Sequence, residues 1–214
     1  MSGKSQSDNT ALIDAGIILL PQSRPLPAIK MTNQDGQPVQ MNELTDTWSL
    51  LFFGYTFCPD ICPTTLAQLR QIKSELPKAA QDKLQIVLVS VDPNRDTPQQ
   101  LKQYLGYFDP QFVGLTPGSI EELQTLANAV SIPFIPADTS KPNYTVDHSG
   151  NLARVQVAQT HKAVAFAHIG DIALLTQQAQ GTHPALQLER PVVDGIGPEL
   201  GQQRLVLFIL ALQG

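Results

Sequence analysis

Cys58 and Cys62 are the only cysteines in the chain of 214 residues, and three residues separate them. Both lie in Cys58-Pro59-Asp60-Ile61-Cys62-Pro63, after the apolar run Ser49 to Tyr55 and ahead of an amphipathic stretch. Thiols this close can share a metal ion or close a small-ring disulfide. Pro63 suits the first turn of a helix, where a missing N–H costs nothing. That puts both sulfurs at or just before a helix N-terminus, where the dipole and free N–H groups favour thiolate, the nucleophilic and metal-binding form. Free cysteine is often just a small buried hydrophobe. Both cysteines of a chain meeting at one strand–loop–helix junction argue instead for a site.

Three chemistries could use the pair. A thioredoxin-type oxidoreductase normally has two residues between its cysteines, so the spacing counts mildly against it. A peroxidase could use Thr56 with Cys58, but peroxiredoxins place their threonine one residue further away. A metal site needs a third ligand, and two thiolates with one imidazole form a soft set that selects Cu(I) and can also hold Cu(II). Structural zinc would want a fourth protein ligand.

The elements around the pair follow from local pattern. Ser49–Tyr55 and Leu84–Val91 are continuous apolar runs, as in strands buried on both faces. Pro63–Leu76 carries Leu66, Leu69, Ile72 and Leu76 on one helical face, and Pro77 ends it. Thr97 precedes Pro98 and stands three before Gln100, the pattern of a capped helix start. Ser119 with Glu122 caps a further helix faced by Leu123, Leu126, Ala127 and Val130. Phe112–Leu115 reads as a short strand, and Asp35-Gly36 as a tight turn between two strands. Tyr144–His148 and Leu152–Val157 flank Ser149-Gly150 as strand–turn–strand. Strands alternating with helices predict an α/β fold, and the order of elements fits a thioredoxin-like one, a mixed sheet flanked by helices.

Composition narrows the function classes. Hydrophobic residues make up 42% of the chain and charged residues 15%, a globular balance. The net charge of −5 leaves no basic excess to neutralise phosphates, which argues against nucleic acid as a partner. The longest N-terminal apolar stretch, Ala11–Leu20, is short and broken by Asp14, so neither a signal peptide nor a membrane span is expected in this chain.

Three segments together resemble the Sco/SenC copper-binding family. They are Phe52-Phe53-Gly54-Tyr55-Thr56-Phe57-Cys58-Pro59-Asp60-Ile61-Cys62-Pro63-Thr64-Thr65-Leu66, then Ser90 to Pro98, then Tyr144-Thr145-Val146-Asp147-His148-Ser149. Their order and separations agree with the family over about residues 16–152. The resemblance implies a thioredoxin-like fold and copper, as Cu(I) or Cu(II), bound by Cys58, Cys62 and His148. It also implies a role in delivering copper to, or reducing the thiols of, the dinuclear copper site of cytochrome c oxidase subunit II. Family members usually sit on the extracytoplasmic or periplasmic face of a membrane, held by an N-terminal anchor. The alternative is a metal-independent thiol–disulfide oxidoreductase in which Cys58 and Cys62 are the redox-active pair; the primary role is expected to be non-enzymatic.

A lone histidine is more often a hydrogen-bonded structural residue, but the setting of His148 within its motif marks it as a ligand. Asp147 could orient its ring, although neighbours on a strand point to opposite faces. His161, His168 and His183 have no comparable setting. The run Asp92-Pro93 to Pro98 reads most simply as a loop and a helix cap. The sequence therefore divides into a polar tail (1–15), a thioredoxin-like copper-binding domain (16–152) and an atypical C-terminal segment (153–214). That last segment departs from the family pattern, through a divergent tail or a frame change near codon 153.

Overall fold

The computed structural model describes residues 18–19, 25–44, 48–141, 143–157 and 162–168. In chain order the strands are β1 (Ile18–Leu19), β2 (Lys30–Asn33), β3 (Pro38–Gln40), β4 (Trp48–Gly54), β5 (Leu84–Ser90), β6 (Val113–Pro117), β7 (Phe134–Ile135), β8 (Asp147–His148), β9 (Asn151–Val157) and β10 (Lys162–His168). The α-helices are α1 (Ile61–Glu75), α2 (Lys78–Gln81), α3 (Pro98–Gly106) and α4 (Ile120–Ala129). One mixed sheet runs β1-β10-β9-β4-β5-β6-β2-β3, and β7 pairs with β8 apart from it. β4, β5 and β6 are parallel neighbours, so α1 and α3 are the crossovers between them. Their side chains bear this out: a Cβ added at Gly114 of β6 would touch Leu101 and Leu105 of α3. The α/β, thioredoxin-like expectation holds.

The central strands are buried because they are apolar on both faces. Leu50, Leu51, Phe52 and Phe53 of β4 and Ile86 to Val89 of β5 are all essentially without solvent contact. Hydrophobic burial of this kind stabilises by roughly 25 cal/mol per Å2. Burying β4 fixes where the loop that leaves its C-terminal end must go. The predicted caps also form: Thr97 accepts from the Gln100 amide and Ser119 from the Glu122 amide. The turn between β2 and β3 places Gly36 at φ +77°, a region that disfavours any side chain.

Two expectations need correction. The helix after the cysteine loop begins at Ile61, two residues before Pro63, so Cys62 lies inside the first turn. Pro63 is still tolerated there, since the first four helical N–H groups have no partner within the helix. Second, of the expected strand Tyr144–His148 only Asp147–His148 forms, and it does not pair with the strand that follows. β9 is already paired on one edge by β4 and on the other by β10, so no edge remains for β8, which pairs with β7 instead. The expected strand Leu152–Val157 does form. β9 runs to Val157, pairs with β4 over Ser49–Phe52 and continues as a hairpin into β10. Among the described residues no helix is long and apolar enough to cross a membrane. The polar tail 1–15, His161, His183 and the chain beyond residue 168 lie outside the described residues; His168 is the last residue of β10.

Candidate metal centre

Two separate stretches of chain deliver the three candidate ligands. The loop that leaves β4 holds Cys58 and the first turn of α1 holds Cys62; the short β8 brings His148 up to them. The two sulfurs and a ring nitrogen all lie within 4.8 Å of one another, and this is the one group of three such donors among the described residues. Cys62 Sγ is 3.4 Å from His148 Nε2. The structure thus brings together all three residues singled out from the sequence. Both thiols are free.

The sulfurs are not equivalent. A hydrogen bond from Cys62 is the main reason the Cys58 thiol is held down to about 4; the backbone amides of Asp60 and Cys62 and the His148 ring assist, against the effect of burial. Cys62 is pushed up, first because it supplies the proton of that bond and then because it is fully buried. The expectation that the helix N-terminus favours thiolate at both positions fails at Cys62, and at Cys58 the bond from Cys62 is the first cause. A buried pair this close holds one proton between its sulfurs, because two adjacent thiolates away from water would repel each other. A soft cation would replace that proton and let both sulfurs bind as thiolates.

Cys62 owes its position to an absent side chain. A Cβ added at Gly54, the last residue of β4, would lie 2.7 Å from Cys62 Sγ. The ring of His148 is set by Phe52 and Tyr55, whose rings meet it edge-on at centroid distances of 6.1 and 5.6 Å. Its Nδ1 lies 3.3 Å from the Ser149 carbonyl oxygen. Asp147, the candidate for orienting the ring, is exposed and does not do so. Strand alternation explains this: His148 faces inward, so its neighbour faces out.

The run after β5 does more than cap a helix. Asp96 is fully buried; its carboxylate accepts from the Thr56 amide and hydroxyl, the latter at 2.7 Å, and from the Ser90 hydroxyl at 2.7 Å. Burial raises its pKa, against the lowering effect of these bonds. The bonds fasten the residues just before Cys58 to the end of β5. They also commit the Thr56 hydroxyl to Asp96, which removes it from the peroxidase-like role. Local pattern shows only a loop plus cap, because Thr56 lies forty residues from Asp96. The signal was Asp96 and Thr56 both falling in family-like segments.

Comparison with known proteins agrees with this geometry. The SCO1/SenC family profile matches residues 24–178. The chain belongs to this family. The profile extends past residue 152, in keeping with the continuous β9. A Stutzerimonas stutzeri protein named as copper-binding is 48% identical over 149 residues, covering 69% of this chain and 72% of that protein. A SCO2-like protein of Rickettsia felis is 38% identical over 122 residues, covering 56% of this chain and 58% of its own length. Among solved structures, copper-bound ScoI of Bradyrhizobium japonicum is 30% identical, with a TM-score of 0.59, covering 71% of this chain and 98% of that one.

Proposed function

We propose that this SCO1/SenC protein is a copper-transfer protein that takes its cargo on Cys58, Cys62 and His148. The carrying observation is the convergence of two sulfurs and an imidazole nitrogen within 4.8 Å on a family fold. The donor set suits the metal: sulfur and imidazole bind Cu(I) and Cu(II) well and hard cations poorly. The names of the Stutzerimonas and Bradyrhizobium relatives support the same cargo. Three protein ligands leave room for an incoming thiolate from an acceptor, so copper can pass by ligand exchange while both proteins hold it. We place the protein on the extracytoplasmic side of a membrane and its acceptor site in cytochrome c oxidase subunit II, on the strength of family membership.

A second reading, a thiol–disulfide oxidoreductase, is favoured by the split between the two sulfurs. Cys58, held down to about 4, would attack a disulfide as thiolate, and Cys62 beside it would resolve the mixed disulfide. The acceptor disulfide gains two electrons and the one proton the pair holds, leaving one thiol and one thiolate that takes its proton from water, and the Cys58–Cys62 disulfide forms. His148 only assists in holding Cys58 down, after Cys62 and the Asp60 amide, so the exchange should survive its loss.

One experiment separates them. The protein is mixed with a copper-site fragment of subunit II, once pre-reduced and once oxidised. Copper transfer to the reduced fragment, lost in His148→Ala, supports the transfer protein. Reduction of the oxidised fragment by metal-free protein, kept in His148→Ala, supports the reductase. Absence of both with reduced, accessible thiols contradicts both readings.

A further inference from the structure

The backbone ladder that holds His148 is short, because β7 and β8 pair over only Phe134↔His148 and Ile135↔Asp147. The chain between them is otherwise loop, and two residues of ladder are little to place a ligand by. A second set of contacts reaches this segment from the cysteine side. The Arg95 guanidinium stacks on the Tyr144 ring, 3.7 Å from its centroid, and its Nη2 donates to the Tyr144 carbonyl at 3.0 Å. The Tyr144 hydroxyl donates to Asp92 at 2.7 Å, and Asp92 in turn pairs with Arg95. Arg95 also lies 4.9 Å from the ring centre of Phe57, the neighbour of Cys58. The Val146 amide donates to the Tyr55 hydroxyl at 3.3 Å, and the Tyr55 ring meets His148.

We propose that Asp92, Arg95 and Tyr144 form a clamp that positions His148 against the cysteine pair, so that the third ligand is set by side chains rather than by the sheet. Arg95 suits this because its rigid plane can stack and donate at once, which a lysine cannot do. The inference rests on the copper-transfer reading, since it assigns the clamp's purpose to the third ligand. Clamped, the segment presents imidazole to the metal; released, it would leave a site of two sulfurs. Arg95, Asp92 and Tyr144 are positioning residues and touch no ligand atom themselves.

The test uses Tyr144→Phe, which removes the hydroxyl bond and keeps the ring, and Arg95→Lys, which removes the stacked plane and the carbonyl bond. Each should weaken Cu(II) binding about 10–100-fold, the usual range for partners that orient metal ligands. Cu(I) stoichiometry should stay at one per chain, and cooperative thermal unfolding of the metal-free variant shows that it folds. In a His148→Ala background, Arg95→Lys should cause no further loss. Equal loss in both backgrounds, or no loss with His148 present, would overturn the proposal. A reading without copper comes from amide hydrogen exchange in the metal-free protein, where Val146 and His148 should exchange at least about tenfold faster in either variant. Unchanged exchange, while His148→Ala still weakens Cu(II), overturns the clamp alone. If His148→Ala binds Cu(II) as well as the native chain, the metal-site reading falls and the clamp's purpose falls with it.

Discussion

Replacing Gly54 by alanine adds one methyl group directly behind a candidate ligand. The new carbon would lie 2.7 Å from Cys62 Sγ, 3.0 Å from the Phe52 ring and 3.1 Å from Leu88 Cδ1. Ordinary contact needs about 3.5–4.0 Å, so the sulfur must retreat by about 1 Å or the strand must shift. Metal–ligand distances tolerate only about 0.2 Å. Copper affinity should therefore fall about 10–100-fold, as for other changes immediately behind a metal ligand. Overpacking should cost about 1–3 kcal/mol of stability, partly offset by the backbone preference for alanine over glycine in a strand. The assay is competition for Cu(I) against a chelator of known affinity, with thermal unfolding of the metal-free protein in parallel. Gly106→Ala is the control, because a Cβ there meets nothing within 4 Å. Native copper affinity in a folded Gly54→Ala protein would refute the claim that this glycine places the sulfur.

Iodoacetamide should modify Cys58 before Cys62, at a rate nearly independent of pH from 5 to 8, because a thiol held down to about 4 is thiolate throughout that window. A rate rising about tenfold per pH unit would show an ordinary thiol instead. Asp96→Ala leaves the Thr56 amide and the Ser90 hydroxyl without their acceptor, and should lower stability by about 2 kcal/mol or more in denaturant unfolding; a loss under about 0.5 kcal/mol would mean the loop is held by other contacts. Arg154 in β9 is buried against the Trp48 ring at 4.1 Å, its Nε and Nη1 have no hydrogen-bond partner among the described residues, and burial pulls its pKa down to about 10. Arg154→Met keeps most of the volume and removes the buried charge, so it should raise stability by about 1 kcal/mol or more; a destabilised variant would show that stacking on Trp48 outweighs the cost of burying the cation.

What the sequence disclosed was mainly what is local. β4 and β5 were legible because a strand buried on both faces must be apolar throughout, and the caps at Thr97 and Ser119 because each bond spans three residues. The cysteine pair was legible by type and spacing, and His148 only through the motif around it. Long-range geometry escaped. That β9 has both edges taken, leaving β8 to pair with β7, is a property of the sheet rather than of residues 144–157. The clamp joins Arg95 to a carbonyl 49 residues away. Gly54 appears in sequence as the end of an apolar run, and its role exists only because Cys62 folds back over it.

The central claim is that copper is held by two sulfurs and one imidazole, and X-ray absorption at the copper edge of the one-copper protein tests it most directly. The account predicts two sulfur scatterers and one imidazole nitrogen, with one sulfur lost in Cys58→Ser or in Cys62→Ser and the imidazole signal lost in His148→Ala. A copper shell without sulfur, or an imidazole signal that survives His148→Ala, would contradict it.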